Sequence, residues 1–275
     1  MATNTERTVY VIELRDKFTR GMRSATNSAN RFNKATDSVR GKTKSMSDAF
    51  TKLGVAAKWG FGAAIAGMTA LGISAVKTAS KFEGVEKALE IMTGRKGLGQ
   101  GLMDWAKEFS RTTVITFDQT VTSMRKLLAY GVSANNVKPL TALLSEIAAG
   151  VGTDRLPYLT LALGQVKSRG KLMGTELRQF REHGVDIISE LAKGMGIKSA
   201  VVEDMVTKGT VSFDMVVSAM EGMVGPGGRF NKMLEEMAKT TTGRFNILKS
   251  SWNIAMAAIG DQMLPVINSI LSTIK

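Results

Sequence analysis

The chain lacks cysteine entirely and has few of the residues from which enzymes build reactive sites. With no cysteine among its 275 residues, it cannot form a disulfide, a thiolate nucleophile or a cysteine-ligated zinc or iron–sulfur site. It also has a single histidine, His183, which excludes the paired-histidine spacing of common zinc sites. We therefore expect no catalytic residues, no metal site and no cofactor.

Proline and aromatic residues are also scarce, and what remains favours helices. Prolines number only 4 and aromatics make up 6%, whereas hydrophobic residues reach 44% and include 17 methionines. This mixture is typical of helix packed on helix, with methionine filling irregular gaps. The predicted fold class is all-α: an extended helical N-terminal arm, part coiled coil and part apolar, followed by a domain of many short amphipathic helices. A short strand over Thr8–Leu14, within a tail of residues 1–15, is the one β element predicted.

The charge is strongly positive and unevenly placed. Lys and Arg total 37 against 24 Asp and Glu, a net charge of +13, and residues 1–60 alone hold 12 basic and 5 acidic residues. A basic arm suits a polyanionic neighbour such as nucleic acid, an anionic membrane or an acidic protein surface. Composition does not choose among them, although nonspecific DNA contact is one of the partners it allows.

Residues 16–54 carry a heptad pattern in a basic, otherwise polar segment. Apolar or small residues recur at alternating spacings of four and three, as at the a and d positions of a coiled coil. We favour a coiled-coil helix over a surface helix of the chain's own globule, and hence a homo-oligomer of several copies. The predicted seam is Phe18, Met22, Ala25, Ala29, Phe32, Thr36, Val39, Thr43, Met46, Phe50 and Leu53.

Residues 55–78 are predicted to form an apolar helix rich in glycine and alanine. The uncharged stretch Trp59–Val76 is just long enough to cross a bilayer core. Because small residues dominate, we favour a helix packed within protein over a permanent membrane span. The alternative function is that of a membrane-active, pore-forming or holin-like protein. Transient contact with a host membrane would then involve Trp59, Phe61, Ile65, Met68 and Leu71.

From residue 79 to 265 the pattern changes to short amphipathic helices separated by glycine stops. Thr116 to Gln119 forms a capping box, and Pro139 and Pro157 are expected in first turns. A further helix begins in residues 266–275 without a cap, so we expect the protein to continue beyond Lys275. The predicted helices are 79–92, 102–110, 117–130, 137–150, 156–169, 174–183, 186–194, 199–208, 212–222, 229–241 and 244–259.

Two groups of polar residues suggest chemistry, and each has a simpler structural interpretation. His183 precedes Gly184 at a predicted helix end, where the helix dipole favours an imidazolium, so we expect a capping role. Four clustered carboxylates, Glu176, Glu182, Asp186 and Glu190, are the residue type that hydrolyses sugars. Basic residues are interleaved with them, however, as on a solvated helix face. A peptidoglycan hydrolase using Glu176 and Glu182 is therefore a third hypothesis, behind a structural protein and a membrane-active one.

The segment from residue 79 to 265 resembles the tape measure domain of phage tail proteins. The matching pieces occur in the order found in that family, although a proline usual after Phe109-Ser110 is absent. They cover about two-thirds of the chain: Ser80–Glu83, Phe109–Ser110, Leu127–Gly131, Gln165–Gly170, Gly174–Gly184, Gly209–Val211, Gly228–Phe230, Thr242–Phe245, Trp252, Ile259–Gly260 and Pro265.

This resemblance implies a structural role in the virion tail and not an enzymatic one. Tape measure proteins set tail length, template polymerisation of the tail tube protein around themselves, and leave the tube ahead of the DNA during ejection. The implied partners are the tail tube protein, tail assembly chaperones and tail-tip or baseplate proteins. The implied location is the host cytoplasm during assembly and then the tail lumen. The motif residues Gly174, Glu176, Leu177, Gln179, Phe180 and Gly184 are the predicted docking residues, and the main ruler is expected beyond Lys275.

Overall fold

The computed structural model describes residues 70–95 and 97–273, and their regular structure is helical. This confirms the all-α prediction. The predicted strand, the coiled-coil segment and most of the apolar helix lie outside the described residues. The α-helices of the described part are α1 Ala70–Thr93, α2 Leu98–Thr112, α3 Phe117–Ala129, α4 Ala134–Val151, α5 Leu156–Arg169, α6 Gly174–Glu182, α7 Ile187–Met195, α8 Ser199–Thr207, α9 Phe213–Val224, α10 Met233–Lys239, α11 Thr241–Asp261 and α12 Leu264–Thr273.

The chain divides into two compact units, of which residues 81–254 form the larger. In this larger unit α3 packs against α5 and α4, α6 follows on α5, and α9 packs against both α4 and α7. Its core is aliphatic, with fully buried side chains such as Leu127, Leu144, Ile147, Leu159 and Leu163. Burying such side chains is the main stabilising contribution to the fold.

The smaller unit comprises the remaining residues, and its described part includes the start of α1 and the end of α11. There Gly260 lies against the main chain of Ala75, with no room for a larger side chain. Helix α1 runs without interruption through residue 79, where the sequence pattern changes from the apolar arm to the amphipathic helices.

Several helix ends form where local sequence signals predict them. Thr116 and Gln119 make the predicted capping box: each side chain accepts a hydrogen bond from the other residue's backbone N–H. Pro157 lies in the first turn of α5, where its missing N–H leaves no bond unmade. Gly170 and Gly184 have left-handed φ values of 73° and 80°, as predicted for helix C-termini.

Five predicted helix starts were wrong: α1 runs through residue 79, and the helices predicted to begin at 102, 137, 229 and 244 begin at Leu98, Ala134, Met233 and Thr241. Helix α4 begins at Ala134, where Ser133 accepts the first backbone bonds, so Pro139 lies inside the helix and not in its first turn. Buried Val137 and Leu140 hold that turn in place. The helix predicted over 229–241 begins only at Met233, because the four preceding residues form turns and Lys232 has a φ of 59°.

Candidate functional site

The connection between α5 and α6 is joined to the connection between α8 and α9. The Leu172 N–H donates to the Val211 carbonyl at 2.8 Å, and the Phe213 N–H donates to the Gly170 carbonyl at 3.3 Å. Lys171 and Ser212 form an isolated antiparallel bridge between them. The sequence motifs Gln165–Gly170, Gly174–Gly184 and Gly209–Val211, separated along the chain, therefore meet at one place in the fold.

The first turn of α6 contains a buried carboxylate that pairs with Arg169 of α5. Glu176 is fully buried, and its Oε1 lies 2.9 Å from Nη1 of the half-exposed Arg169, without the alignment of a hydrogen bond. The prediction that Glu176 belongs to a solvated helix face was wrong, because α6 turns this position toward α5. A carboxylate without solvent access cannot reach a polysaccharide, so Glu176 cannot be a glycan-cleaving residue.

The other carboxylates of the predicted cluster have separate structural roles. Asp186 caps α7 by accepting from the Ser189 N–H at 3.3 Å. The hydrogen bond from the Ser189 side chain is the main reason that the pKa of Asp186 lies below its ordinary value. Glu190 pairs with Lys193 at 3.4 Å, and Glu182 is exposed. Asp186 therefore acts as a helix cap and Glu190 as the partner of Lys193.

The end of α6 is a Schellman turn built on Gly184. The Gly184 N–H donates to the Arg181 carbonyl at 3.0 Å, and the Val185 N–H donates to the Phe180 carbonyl at 2.8 Å. Val185 and Phe180 are both fully buried, and they occupy the two positions whose apolar side chains usually pack together at this turn. A glycine suits position 184 because the left-handed φ costs an L-residue about 1 kcal/mol.

His183 occupies the C-cap position of α6, whereas a capping role for its charged side chain stays a prediction. Its imidazole stacks on Tyr158, with the ring centroids 4.5 Å apart. In the described part of the chain, no group of histidine and acidic residues could hold a metal ion.

Of the predicted docking residues, Glu176, Leu177 and Phe180 are buried in the larger unit. Gln179 is half-buried, whereas Gly174 and Gly184 are exposed. The motif thus supplies interior packing together with an outer helix surface.

A second contact between motifs joins α3 to α5. The ring of Tyr130, from the motif Leu127–Gly131, lies directly on Gly164, one residue before the motif Gln165–Gly170. A Cβ atom at position 164 would lie 2.8 Å from Cγ of Tyr130, a separation that real side chains do not adopt. The pairing of these two helices therefore depends on a glycine at this point.

Glu146, which no sequence pattern singled out, caps a helix 88 residues away. Helix α10 has no side-chain cap of its own; instead the Leu234 N–H donates to Oε1 of Glu146 at 3.3 Å. Burial raises the pKa of Glu146 to about 7, and repulsion from Glu235 adds to this, whereas hydrogen bonds from the Leu234 and Met233 backbone oppose it. The available signal was a lone glutamate in the apolar run of α4.

One turn further along α4, Gly150 receives the ring of Phe230, which is buried. The motif Gly228–Phe230 is therefore also held by an interior contact. Tyr130, Phe230 and Val211 thus each place a family motif against another helix or connection of the larger unit.

Comparison with known proteins gives the family of the chain. A family model described as tape measure protein matches residues 74–261. The chain belongs to the tape measure protein family. Tape measure proteins are structural components of phage tails and not an enzyme family.

A curated relative of the chain is a prophage protein. The chain is 28% identical over 202 residues to the Mu-like prophage FluMu protein gp42 of Haemophilus influenzae. The aligned region covers 72% of this chain and 31% of that relative, so the chain spans about a third of the relative's length. No solved structure matches the chain.

The structure describes only part of the predicted membrane segment of this tape measure chain. Among the described residues no helix is both long and apolar enough to cross a membrane. Trp59, Phe61, Ile65 and Met68 lie outside the described residues, and the side chain of Leu71 is not described.

Proposed function

We propose that this chain acts in phage tail assembly by setting tail length and templating polymerisation of the tail tube protein. Membership of the tape measure family supports this proposal. Several copies would associate through the heptad segment 16–54 and lie in the tail lumen. Release from the tube would then precede DNA ejection, with nonspecific DNA contact through the basic arm and transient contact with the host membrane through residues 59–76.

Within this role, we assign residues 81–254 to docking and assembly and not to the measured length. The observation that carries this assignment is the packing of the motifs. The chain of this unit is folded back on itself by contacts between distant residues. These contacts are Tyr130 on Gly164, Phe230 on Gly150 and the hydrogen bond between Leu172 and Val211. A helix measures length only while it is extended, at about 1.5 Å per residue. A unit built from such contacts has a fixed shape, which suits recognition by tail assembly chaperones or tail-tip proteins.

The outer side of α6 is the docking surface we favour within this unit. Arg178 is exposed and Gln179 is half-buried there, between the exposed Gly174 and Gly184. The buried Phe180 and the ion pair of Glu176 fix the orientation of this surface. They would act on docking by positioning α6 and not by touching the partner.

The test is complementation of a phage or prophage from which the gene has been deleted, with tails measured by electron microscopy. We expect the deletion to give filled heads without tails and the wild-type gene in trans to restore them. Normal tails on the deletion mutant would contradict the tape measure role and favour the membrane-active alternative.

Complementation with a gene lacking only residues 81–254 then tests the assignment of this unit. If the unit serves assembly, no tails form. If it is part of the ruler, tails form but are shorter by about 260 Å, the length of that many residues in one helix, and the docking assignment is wrong. Arg178→Glu tests the outer face of α6 and should reduce tail number without changing tail length. Arg125→Glu, at an exposed residue of α3, is the control and should leave both unchanged.

A further inference from the structure

Helix α11 presents an apolar stripe to solvent. Phe245 and Leu248 are each 65% exposed, and Trp252 is 58% exposed. The opposite side of the helix is turned inward, since Ser250 and Ile254 are buried. Large apolar side chains left in water beside a buried face indicate a contact surface for another molecule.

The spacing of the stripe is that of a helix-pairing seam. Phe245, Leu248 and Trp252 are separated by three and then four residues, which are the a, d and a positions of a heptad. At 100° per residue they lie within an arc of about 60°. Such a narrow arc fits a helix seam, whereas a helix that lies in a membrane surface exposes a broad apolar face.

Basic residues flank this seam on both sides. Arg244 is at the g position and Lys249 at the e position, each about 40° from the nearest seam residue, and both are exposed. Charges at e and g positions select the partner helix and its orientation. Two basic flanks therefore select a partner helix with acidic flanks.

The same charges disfavour pairing with a second copy of the chain. In a parallel pair, Arg244 of one copy would face Lys249 of the other, and in an antiparallel pair each would face its own equivalent. Like charges at these positions repel. The chain's own heptad segment 16–54 is no better suited, because it carries nine basic and three acidic residues.

We propose that the exposed face of α11 formed by Phe245, Leu248 and Trp252 binds an amphipathic helix of another protein whose apolar seam is flanked by acidic residues. The Phe, Leu and Trp side chains supply the buried contact, and Arg244 and Lys249 supply the specificity. This proposal rests on the exposed face itself and does not depend on the role of the chain in tail length.

The experiment measures binding of synthetic peptides to the full chain by fluorescence anisotropy at low salt. The acidic peptide has three heptads with leucine at a and d and glutamate at e and g; its twin has lysine at e and g. We expect the acidic peptide to bind at least about tenfold more tightly than its twin, the ratio that one well-placed interaction of about 1.4 kcal/mol produces.

Three variants locate the binding site. Leu248→Ser with Trp252→Ser should weaken binding of the acidic peptide by at least about tenfold, because two buried apolar contacts are lost. Ile91→Ser, at an apolar residue of α1 that is 71% exposed, should leave it unchanged. Arg244→Glu with Lys249→Glu should reverse the preference in favour of the lysine peptide. Circular dichroism confirms that each variant remains folded.

Four results would overturn the proposal. If both peptides bind equally, or if neither binds, then α11 does not select a partner helix by charge. If the acidic peptide still binds the variant with Leu248→Ser and Trp252→Ser, its binding site is the basic arm and not α11. If vesicles of phosphatidylglycerol bind the wild type but not this variant, the exposed face of α11 contacts a membrane and not a helix. A wild-type dimer that the same variant dissociates, seen by sedimentation, indicates a second copy of the chain.

Discussion

Replacing Glu146 with glutamine should change how the stability of the larger unit depends on pH. Burial raises the pKa of Glu146 from an ordinary 4.5 to about 7 in the folded chain. Between these values the folded state binds more protons than the unfolded state, so wild-type stability falls as the pH rises from about 4.5 to 7. The rise in pKa corresponds to roughly 3 kcal/mol of lost stability above pH 7.

Glutamine at position 146 keeps an oxygen that can accept the Leu234 N–H bond but cannot ionise. The variant should match the wild type near pH 4.5 and exceed its free energy of unfolding by up to roughly 3 kcal/mol at pH 8. Urea denaturation followed by circular dichroism at several pH values measures this difference. Contributions from other titratable groups cancel because both proteins share them.

Glu182→Gln is the matched control, since Glu182 is an exposed glutamate at the end of α6. Because its side chain is exposed, this substitution should change the free energy of unfolding by less than about 0.5 kcal/mol. If Glu146→Gln is less stable than the wild type at pH 8, or if its difference from the wild type is constant with pH, then burial does not govern this carboxyl and the reasoning is refuted.

Two further substitutions test the contacts between motifs. Gly164→Val should destabilise the unit by about 2 kcal/mol or more, because the new side chain overlaps the Tyr130 ring. The control Gly194→Ala, where a Cβ meets nothing within 4 Å, should stabilise the unit by about 0.5–1 kcal/mol. If calorimetry gives Gly164→Val and Gly194→Ala the same melting temperature, the close packing of Tyr130 on Gly164 is contradicted. Arg169→Met should lower the free energy of unfolding by about 2 kcal/mol, because it leaves the Glu176 carboxylate unpaired. The loss is smaller than for a fully buried ion pair, since Arg169 is half-exposed. Adding Glu176→Gln should restore most of that loss, and an Arg169→Met variant as stable as the wild type would show that the pair contributes nothing.

Features that depend on residues within about four positions of one another could be predicted from the sequence. The capping box at Thr116 and Gln119 satisfies its own hydrogen bonds locally, and so does the Schellman turn at Gly184. Helical periodicity is likewise a local property, which is why the all-α class and most helix positions could be predicted. The order of the short motifs identified the family, which required no knowledge of how the motifs meet.

Only the tertiary structure decided what depends on residues distant in sequence. Glu176 lies on a charged helix whose local pattern predicts exposure, yet the packing of α6 on α5 buries it beside Arg169. Glu146 caps a helix 88 residues away, and no local pattern links the two positions. The exposed face of α11 has the apolar spacing of a core helix, and only the arrangement of the other helices shows that Phe245, Leu248 and Trp252 remain in solvent. Burial is a property of the whole packed chain, whereas helix formation and capping are set by a few neighbouring residues.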